Sequence, residues 1–432
     1  MPMRTALTVF CLFCLTNGRW RLTKKPMKTL IELYDPAHPV KNILAALIFK
    51  PEVLIFIGLK GSLTDRVQSL VERLLRRKGI EAELRFMEPD LKDGNRVVRM
   101  LEQITWEHAD CVFEISGGPD LLLALVGHFC ALRGVPQLYK DVDSQELIWI
   151  TSEGERREPL VLPKLDISDL LLAYGARLER TDHYYPNLGD AAQEACIGRI
   201  CQVFLRFLEE WPHVSIWFQY VCRNAAEEEH AYDCLEVSEK RDGRVNMLLR
   251  QFKNLDVFYA LQKAGAIHDL AIDSRRVCFR FENTEIRRLL TNQGVWLELC
   301  TYLSAAQTGG FDDLVMSAVI GWDYENKNHY PQNEIDVVLL KGIRALFISC
   351  KTSITKRSPY DLYEIKTLCE RFGGDMAQAV LITADNCLNT NHSLYIRARE
   401  MGIVILDINT IKKGNLGREL LKIAAGRYHF PE

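Results

Sequence analysis

Asn333-Glu334-Ile335-Asp336-Val337-Val338, followed beyond the turn Lys341-Gly342 by Phe347-Ile348-Ser349-Cys350-Lys351, is the stretch on which the reading of this chain turns. Two apolar runs around a glycine-bearing turn predict an antiparallel hairpin, with strands over 334–340 and 345–350. Such a hairpin returns its second strand to the start of the first, so Asp336 lies beside residues 349–351. Side chains alternate along a strand, so Glu334 and Asp336 share one face, and so do Ser349 and Lys351. Val337, Val338, Phe347 and Ile348 mark a core hairpin with its polar groups gathered at one end. A surface hairpin whose acids and lysine are merely solvated is the competing reading.

Carboxylates converging with a lysine on one sheet face are costly unless something binds there, and a divalent cation with oxygen ligands suits the set. The lysine can orient or activate an attacking water, while a metal stabilises charge on a phosphate. Upstream, a helix over 295–305 carries Glu298 in Trp296-Leu297-Glu298-Leu299. An acid in so apolar a stretch needs a partner, and Glu298 is expected to supply a ligand or to hold a base or water. Downstream, a helix over 361–372 brings Glu364 toward the same place. A strand over 378–383, a helix over 393–401 and a strand over 403–406 complete an α/β pattern.

The first part of the chain alternates differently. Strands are expected over 29–34, 53–57, 82–87 and 111–115, and helices over 40–49, 62–78, 94–107 and 119–132. A hairpin over 138–141 and 146–151 closes the pattern. Strand-helix alternation argues for a mostly parallel, Rossmann-like sheet covered by helices. Ligands bind such sheets at the carboxyl ends of strands, near helix N-termini. Three loops there are candidates: Asp35, His38 and Asn42 after the first strand, Gly58 and Lys60 after the second, and Ser116-Gly117-Gly118 after the fourth. The first strand is not followed by G-x-G-x-x-G, which disfavours a dinucleotide cofactor. Between the two α/β regions, residues 152–190 read as a linker punctuated by Pro159, Pro163 and Pro186. A helix over 255–264 with a hairpin over 268–272 and 277–281 has a winged-helix look; a plain packing connector is equally consistent. The expected domains are 27–152, 153–290 and 291–432.

A length of 432 residues calls for two or three domains, and 48% hydrophobic with 26% charged residues is ordinary for globular cores. Proteins that constitutively hold long duplex nucleic acid are usually basic, so a net charge of −3 implies that any nucleic-acid grip is local, small or switched on. The 13 cysteines are scattered singly, as in Cys111, Cys130, Cys300 and Cys350, which suits reduced cytosolic thiols. The lone pair Cys11 and Cys14 has no second pair to complete a zinc site. The apolar run before residue 26 is too short to span a bilayer and lacks a secretory cleavage site. Met27 is therefore the expected start and the cytoplasm the expected location, with no membrane partner. Glu227-Glu228-Glu229-His230 with Asp233 and Cys234 reads as a solvated face. Lys351, Lys356 and Arg357 are either phosphate contacts or a solvated charge run.

The helix, hairpin, helix, strand order with Glu298, Asp336 and Lys351 resembles the PD-(D/E)XK nuclease superfamily over about residues 290–410. The resemblance makes Asp336 the metal-binding acid, Lys351 the catalytic lysine and Glu298 the upstream acid. The family's second carboxylate, two before the lysine, is here Ser349; a hydroxyl can still hold a metal-bound water, and Glu334 or Glu364 can replace the charge. Glu114-Ile115-Ser116-Gly117-Gly118-Pro119 is similar to the fourth-strand motif of the CRISPR-associated Rossmann fold, CARF, with its glycines kept and its flanking polar residues changed. The whole order resembles the CRISPR ancillary nucleases over about residues 27–410. That resemblance implies a homodimer that binds cyclic tetra-adenylate across its two-fold axis in type III CRISPR defence. It further implies a Mn²⁺- or Mg²⁺-dependent endonuclease that cuts DNA and/or RNA. The alternative is a ligand-responsive nucleic-acid-binding regulator with an inactive nuclease fold, which Ser349 favours.

Overall fold

The computed structural model describes residues 12–16, 19–23, 27–180, 191–223, 235–252, 255–292, 294–325, 331–353, 358–387 and 391–428. Cys11, Pro186, the acidic stretch at 227–234, Lys356 and Arg357 lie outside the described residues. Contacts divide the chain into two compact units. The first holds Met1–Arg177 with the short segments Asp323–Asn326 and Gly374–Met376, and the second holds Leu178–Trp322, Lys327–Gly373 and Ala377–Glu432.

The first unit opens with an antiparallel pair, β1 (Leu12–Thr16) and β2 (Arg19–Thr23). The elements β3 (Thr29–Leu33), α1 (Lys41–Phe49), β4 (Val53–Ile57), α2 (Asp65–Arg77), β5 (Glu83–Met87), α3 (Gly94–Glu107), β6 (Cys111–Glu114), α4 (Asp120–Arg133) and β7 (Gln137–Asp141) alternate as expected. β8 (Glu146–Thr151), β9 (Gly154–Pro159) and α5 (Ile167–Ala173) follow. The sheet order is β5-β4-β3-β6-β7-β8-β9, parallel from β5 to β7 and antiparallel beyond. β3 is buried along its whole length, as a central parallel strand must be. Its Ile31 and Leu33 pack with Ile55, Val97, Phe113 and Val126 on one side of the sheet. The strand order reverses direction between β3 and β6, which makes the ends of these two strands the switch point of the sheet.

The expected linker is corrected in its first part. Residues 154–159 pair with β8, and α5 is stopped at its start by a reciprocal Asp166–Asp169 capping box. The charges of Glu155, Arg156, Arg157 and Glu158 suit an exposed edge strand, which forms cross-strand ion pairs such as Arg157–Glu146 (2.8 Å).

The second unit contains β10 (Arg177–Arg180), α6 (Ala191–Arg206), α7 (Trp211–Arg223), β11 (Glu236–Lys240), α8 (Gly243–Leu249), α9 (Asp256–Ala264), β12 (Ile267–Ile272), β13 (Arg276–Phe281) and α10 (Thr284–Leu290). It continues with α11 (Val295–Ala306), β14 (Asp313–Gly321), β15 (Gln332–Lys341), β16 (Arg344–Lys351), α12 (Ser358–Gly373), β17 (Ala377–Thr383), α13 (His392–Glu400), β18 (Val404–Leu406), α14 (Ile408–Lys412) and α15 (Leu416–Ala424). α7, β11, α8, α9 and the β12–β13 hairpin give the winged-helix order, with a sheet β11-β13-β12. This part is not a separate connector. Trp211 of α7 meets Trp296 of α11 with ring centroids 5.5 Å apart, and one apolar core runs from Cys196 to Ala424. The main sheet is β10-β14-β15-β16-β17-β18, antiparallel through β14, β15 and β16 and parallel through β17 and β18. Among the described residues, no helix is long and apolar enough to cross a membrane. Cys111, Cys130, Cys300 and Cys350 are buried free thiols.

Candidate active site and ligand loops

The β15–β16 hairpin has the expected register. Val337 pairs with Ile348 and Lys341 with Arg344, which sets Asp336 opposite Ser349. Asp336 Oδ2 accepts the Cys350 backbone N–H at 2.6 Å and the Ser349 hydroxyl at a long 3.4 Å. The edge of β14 yields at the same level: Ser317 has φ 48, between the pairs Met316–Val337 and Ala318–Ile335. Lys351 ends β16, and Glu334 stands two residues before Asp336 on the same face. These residues line a cleft of about 50 Å³ together with Asp361, Glu364, Ile365 and Leu368 of α12. That is room for an ion and a water, since a water needs roughly 10–15 Å³ of such space.

Glu298 sits in the first turn of α11 between buried neighbours, Trp296 and Leu297 before it and Leu299 and Cys300 after it. Burial raises its carboxyl to about 8, with the Asp336 and Glu334 charges adding to the rise and Lys351 opposing it. Asp336 is raised as well, by burial first, against the Cys350 N–H and Lys351 and with the help of Glu334. The structure thus brings Glu298, Glu334, Asp336, Ser349 and Lys351 into one electrostatic neighbourhood. Glu364 lines the cleft but is exposed, accepting a hydrogen bond from Asn333 Nδ2 at 3.2 Å. Asp361 is a lining acid that sequence reading missed; its spacing of three from Glu364, with Ile365 and Leu368 continuing the helical face, was the available signal. Among the described residues, no three His, Cys, Asp or Glu side chains converge closely enough to hold a metal ion. The donor chemistry nonetheless fits a cation. Four acids and one lysine line the cleft, and Glu298 behind them is held toward its uncharged form.

In the first unit, the loops after β3 and β6 meet at the switch point. A side chain at Gly117 would stand 3.4 Å from Asp35 Cβ. Gly118 has φ +112, and a Cβ there would lie 2.8 Å from Leu33 Cβ, so this turn needs glycine. Asp35 Oδ1 accepts the Ala37 N–H at 2.9 Å, and Oδ2 lies 2.7 Å from His38 Nδ1. Asn42 has a structural role in this loop. It is buried, and its amide accepts the Asp35 N–H (3.0 Å) and donates to the Asp35 carbonyl (2.8 Å), so it staples the loop to the start of α1. The loop after β4 is likewise occupied from within. Glu88 accepts the N–H groups of Gly61 (2.8 Å) and Leu63 (2.6 Å), where an anionic ligand was expected. Gly58 answers to packing, since a Cβ would lie 2.5 Å from Ser62 Oγ; Lys60 is exposed. Ser116 donates its hydroxyl to Glu114 and accepts the Lys140 backbone N–H at 2.6 Å.

Residues 283–422 match the family model of the Card1-like endonuclease domain. No curated protein matches the chain in sequence. Among solved structures, the chain is similar to protein VC1899 from Vibrio cholerae, at 18% identity and a TM-score of 0.72, covering 94% of this chain and 100% of that one. It is also similar to Can2 from Sulfobacillus thermosulfidooxidans, solved in complex with cyclic tetra-adenylate, at 16% identity and a TM-score of 0.64, covering 93% and 98%. At these identities the likeness establishes the fold. The resemblance to CRISPR ancillary nucleases is borne out at the level of that fold and of the C-terminal endonuclease domain.

Proposed function

We propose that this chain is a cyclic-oligoadenylate-responsive, metal-dependent endonuclease of the PD-(D/E)XK type that hydrolyses DNA and/or RNA phosphodiesters as a homodimer. The observation that carries the reading is the convergence of Asp336, Glu298 and Lys351 at one end of a core hairpin, inside the segment that matches an endonuclease domain. Asp336 and Glu298 would hold Mn²⁺ or Mg²⁺, which supplies charge stabilisation on the phosphate and a more acidic water. Asp336 is preset for this role, because the Cys350 N–H fixes its carboxylate from one side. Lys351 offsets the acids and would orient a water or a phosphate oxygen. Ser349 carries a hydroxyl where the superfamily has a carboxylate, so Glu334, Asp361 and Glu364 supply the remaining negative charge of the cleft.

The sensor role rests on the switch-point loops at Asp35–His38 and Ser116–Gly118, and on the likeness of fold to a protein solved with cyclic tetra-adenylate. A two-fold ligand suits an isologous dimer in which both subunits present the same loops. The test is cleavage of labelled single-stranded and duplex DNA and RNA with Mn²⁺, with and without cyclic tetra-adenylate. Ligand-dependent cutting that vanishes in Asp336→Ala and Lys351→Ala supports the reading. A second reading, a ligand-responsive regulator with an inactive nuclease fold, is favoured by Ser349 and by the winged-helix order of α7 to β13. Ligand binding without cleavage of any substrate would select it.

A further inference from the structure

Beneath the switch point lies a cluster that neither the cleft nor the ligand loops account for. Lys140 of β7, Glu32 of β3 and Glu114 of β6 are 4%, 1% and 0% exposed in the interior of the first unit. The Lys140 ammonium lies 3.3 Å from Glu32 Oε1 and 3.2 Å from Glu114 Oε2, and donates to the Lys41 carbonyl at 3.0 Å. Lys41 opens α1, directly after the Asp35–His38 loop, and its neighbour Asn42 holds both backbone groups of Asp35. On the other side, Glu114 Oε1 accepts the Ser116 backbone N–H at 2.9 Å and the Ser116 hydroxyl, and that hydroxyl accepts the Lys140 N–H. One lysine therefore reaches both loops that flank the switch point. Glu32 Oε2 has no hydrogen-bond partner among the described residues.

We propose that Lys140 is a positioning residue for the ligand site, locking the Asp35–His38 and Ser116–Gly118 loops into one prearranged cradle. The inference rests on the reading that a cyclic oligoadenylate binds at those loops. Stability alone gives a weak reason for such a cluster, because apolar residues of similar volume usually serve a core as well or better. Burial above all, then the Glu114 charge, holds the Glu32 carboxyl well above its usual range. Burial lowers the Lys140 ammonium, but Glu114 and Glu32 outweigh it. Glu32 is thus held toward its uncharged form, which limits the negative charge beneath an anionic ligand.

The experiment titrates the whole protein calorimetrically with cyclic tetra-adenylate and follows amide hydrogen exchange in the ligand-free state. Lys140→Met is one variant. The second combines Lys140→Met with Glu32→Gln and Glu114→Gln, which leaves no buried charge and keeps an acceptor for Ser116 while deleting the ammonium bridge. If only about a tenth of the molecules then hold the cradle, apparent affinity falls about tenfold. Faster exchange confined to residues 35–42 and 116–118 should accompany that loss, with the melting of the triple variant near that of the parent. Val126→Ala, a core truncation in the same unit, should lower melting without the affinity loss. Affinity within about twofold of the parent in a folded variant, at a resolution of ~0.4 kcal/mol, overturns the proposal. Absence of binding by the parent itself sinks the sensor reading, and this inference with it.

Discussion

Glu298 offers a quantitative handle on the cleft. Its carboxyl rises from 4.5 to about 8 in the folded chain, because burial and the Asp336 and Glu334 charges oppose ionisation. Between these values the folded state keeps a proton that the unfolded chain has lost. Its contribution to stability is therefore fully present below pH ~4.5 and is lost as pH rises through about 8. At ~1.4 kcal/mol for each tenfold change in proton affinity, the limit is ~5 kcal/mol, and solvent reaching a half-buried side chain screens this to about 2 kcal/mol. Glu298→Gln keeps the shape and removes the ionisation. In chelator at pH 8.5 the variant should melt above the parent, by about 5 °C for a unit of this size. At pH 4, below the unfolded value, the two should melt nearly together. Saturating Mn²⁺ at pH 8.5 should close or invert the gap, since a cation stabilises the ionised parent and has less to hold in the variant. The assay is differential scanning calorimetry at both pH values, with chelator and with Mn²⁺. A gap of zero at pH 8.5, or the same gap at both pH values, refutes the placement of Glu298 among these charges.

Asp336→Ala and Lys351→Ala should each lower cleavage by on the order of 10³-fold at fixed ligand while leaving calorimetric ligand binding intact; retained cutting in both removes the assignment of the site. Ser349→Ala should change the cleavage rate by less than about threefold, because its hydroxyl reaches Asp336 only at 3.4 Å while the Cys350 N–H does so at 2.6 Å. A loss as large as that of Asp336→Ala would show Ser349 taking the place of the missing carboxylate. Gly118→Ala should destabilise the first unit by about 1–3 kcal/mol, measured by denaturant unfolding, since φ +112 and the approach of Leu33 both exclude a methyl group. An unchanged unfolding midpoint would contradict the tight packing of the Gly118 turn on β3.

Periodicity by itself determined most of the local structure. The runs at 53–57, 94–107 and 146–151 carry enough apolar alternation or helical spacing for β4, α3 and β8 to be read with their observed bounds. The hairpin register that sets Asp336 against Ser349 was equally legible, because a turn of fixed length and period-two alternation leave one pairing that buries Val337, Val338, Phe347 and Ile348. β14 escaped because Met316-Ser317-Ala318 interrupts the β-rich pattern, and Ser317 leaves the ladder. β9 escaped because an exposed edge strand needs charged residues on both faces and so reads as a linker.

Only the tertiary structure decided which polar groups have their hydrogen bonds satisfied inside the protein. Periodicity gives no sign that Asn42 bonds both backbone groups of Asp35, or that Glu88 accepts the Gly61 and Leu63 N–H groups. Asp361 joins the cleft only because α12 packs on β16 with that face inward. Glu32, Glu114 and Lys140 lie on three strands whose adjacency follows from the sheet order β3-β6-β7. Chain spacing carries the period of each element, whereas the meeting of charges from different elements depends on how those elements are stacked.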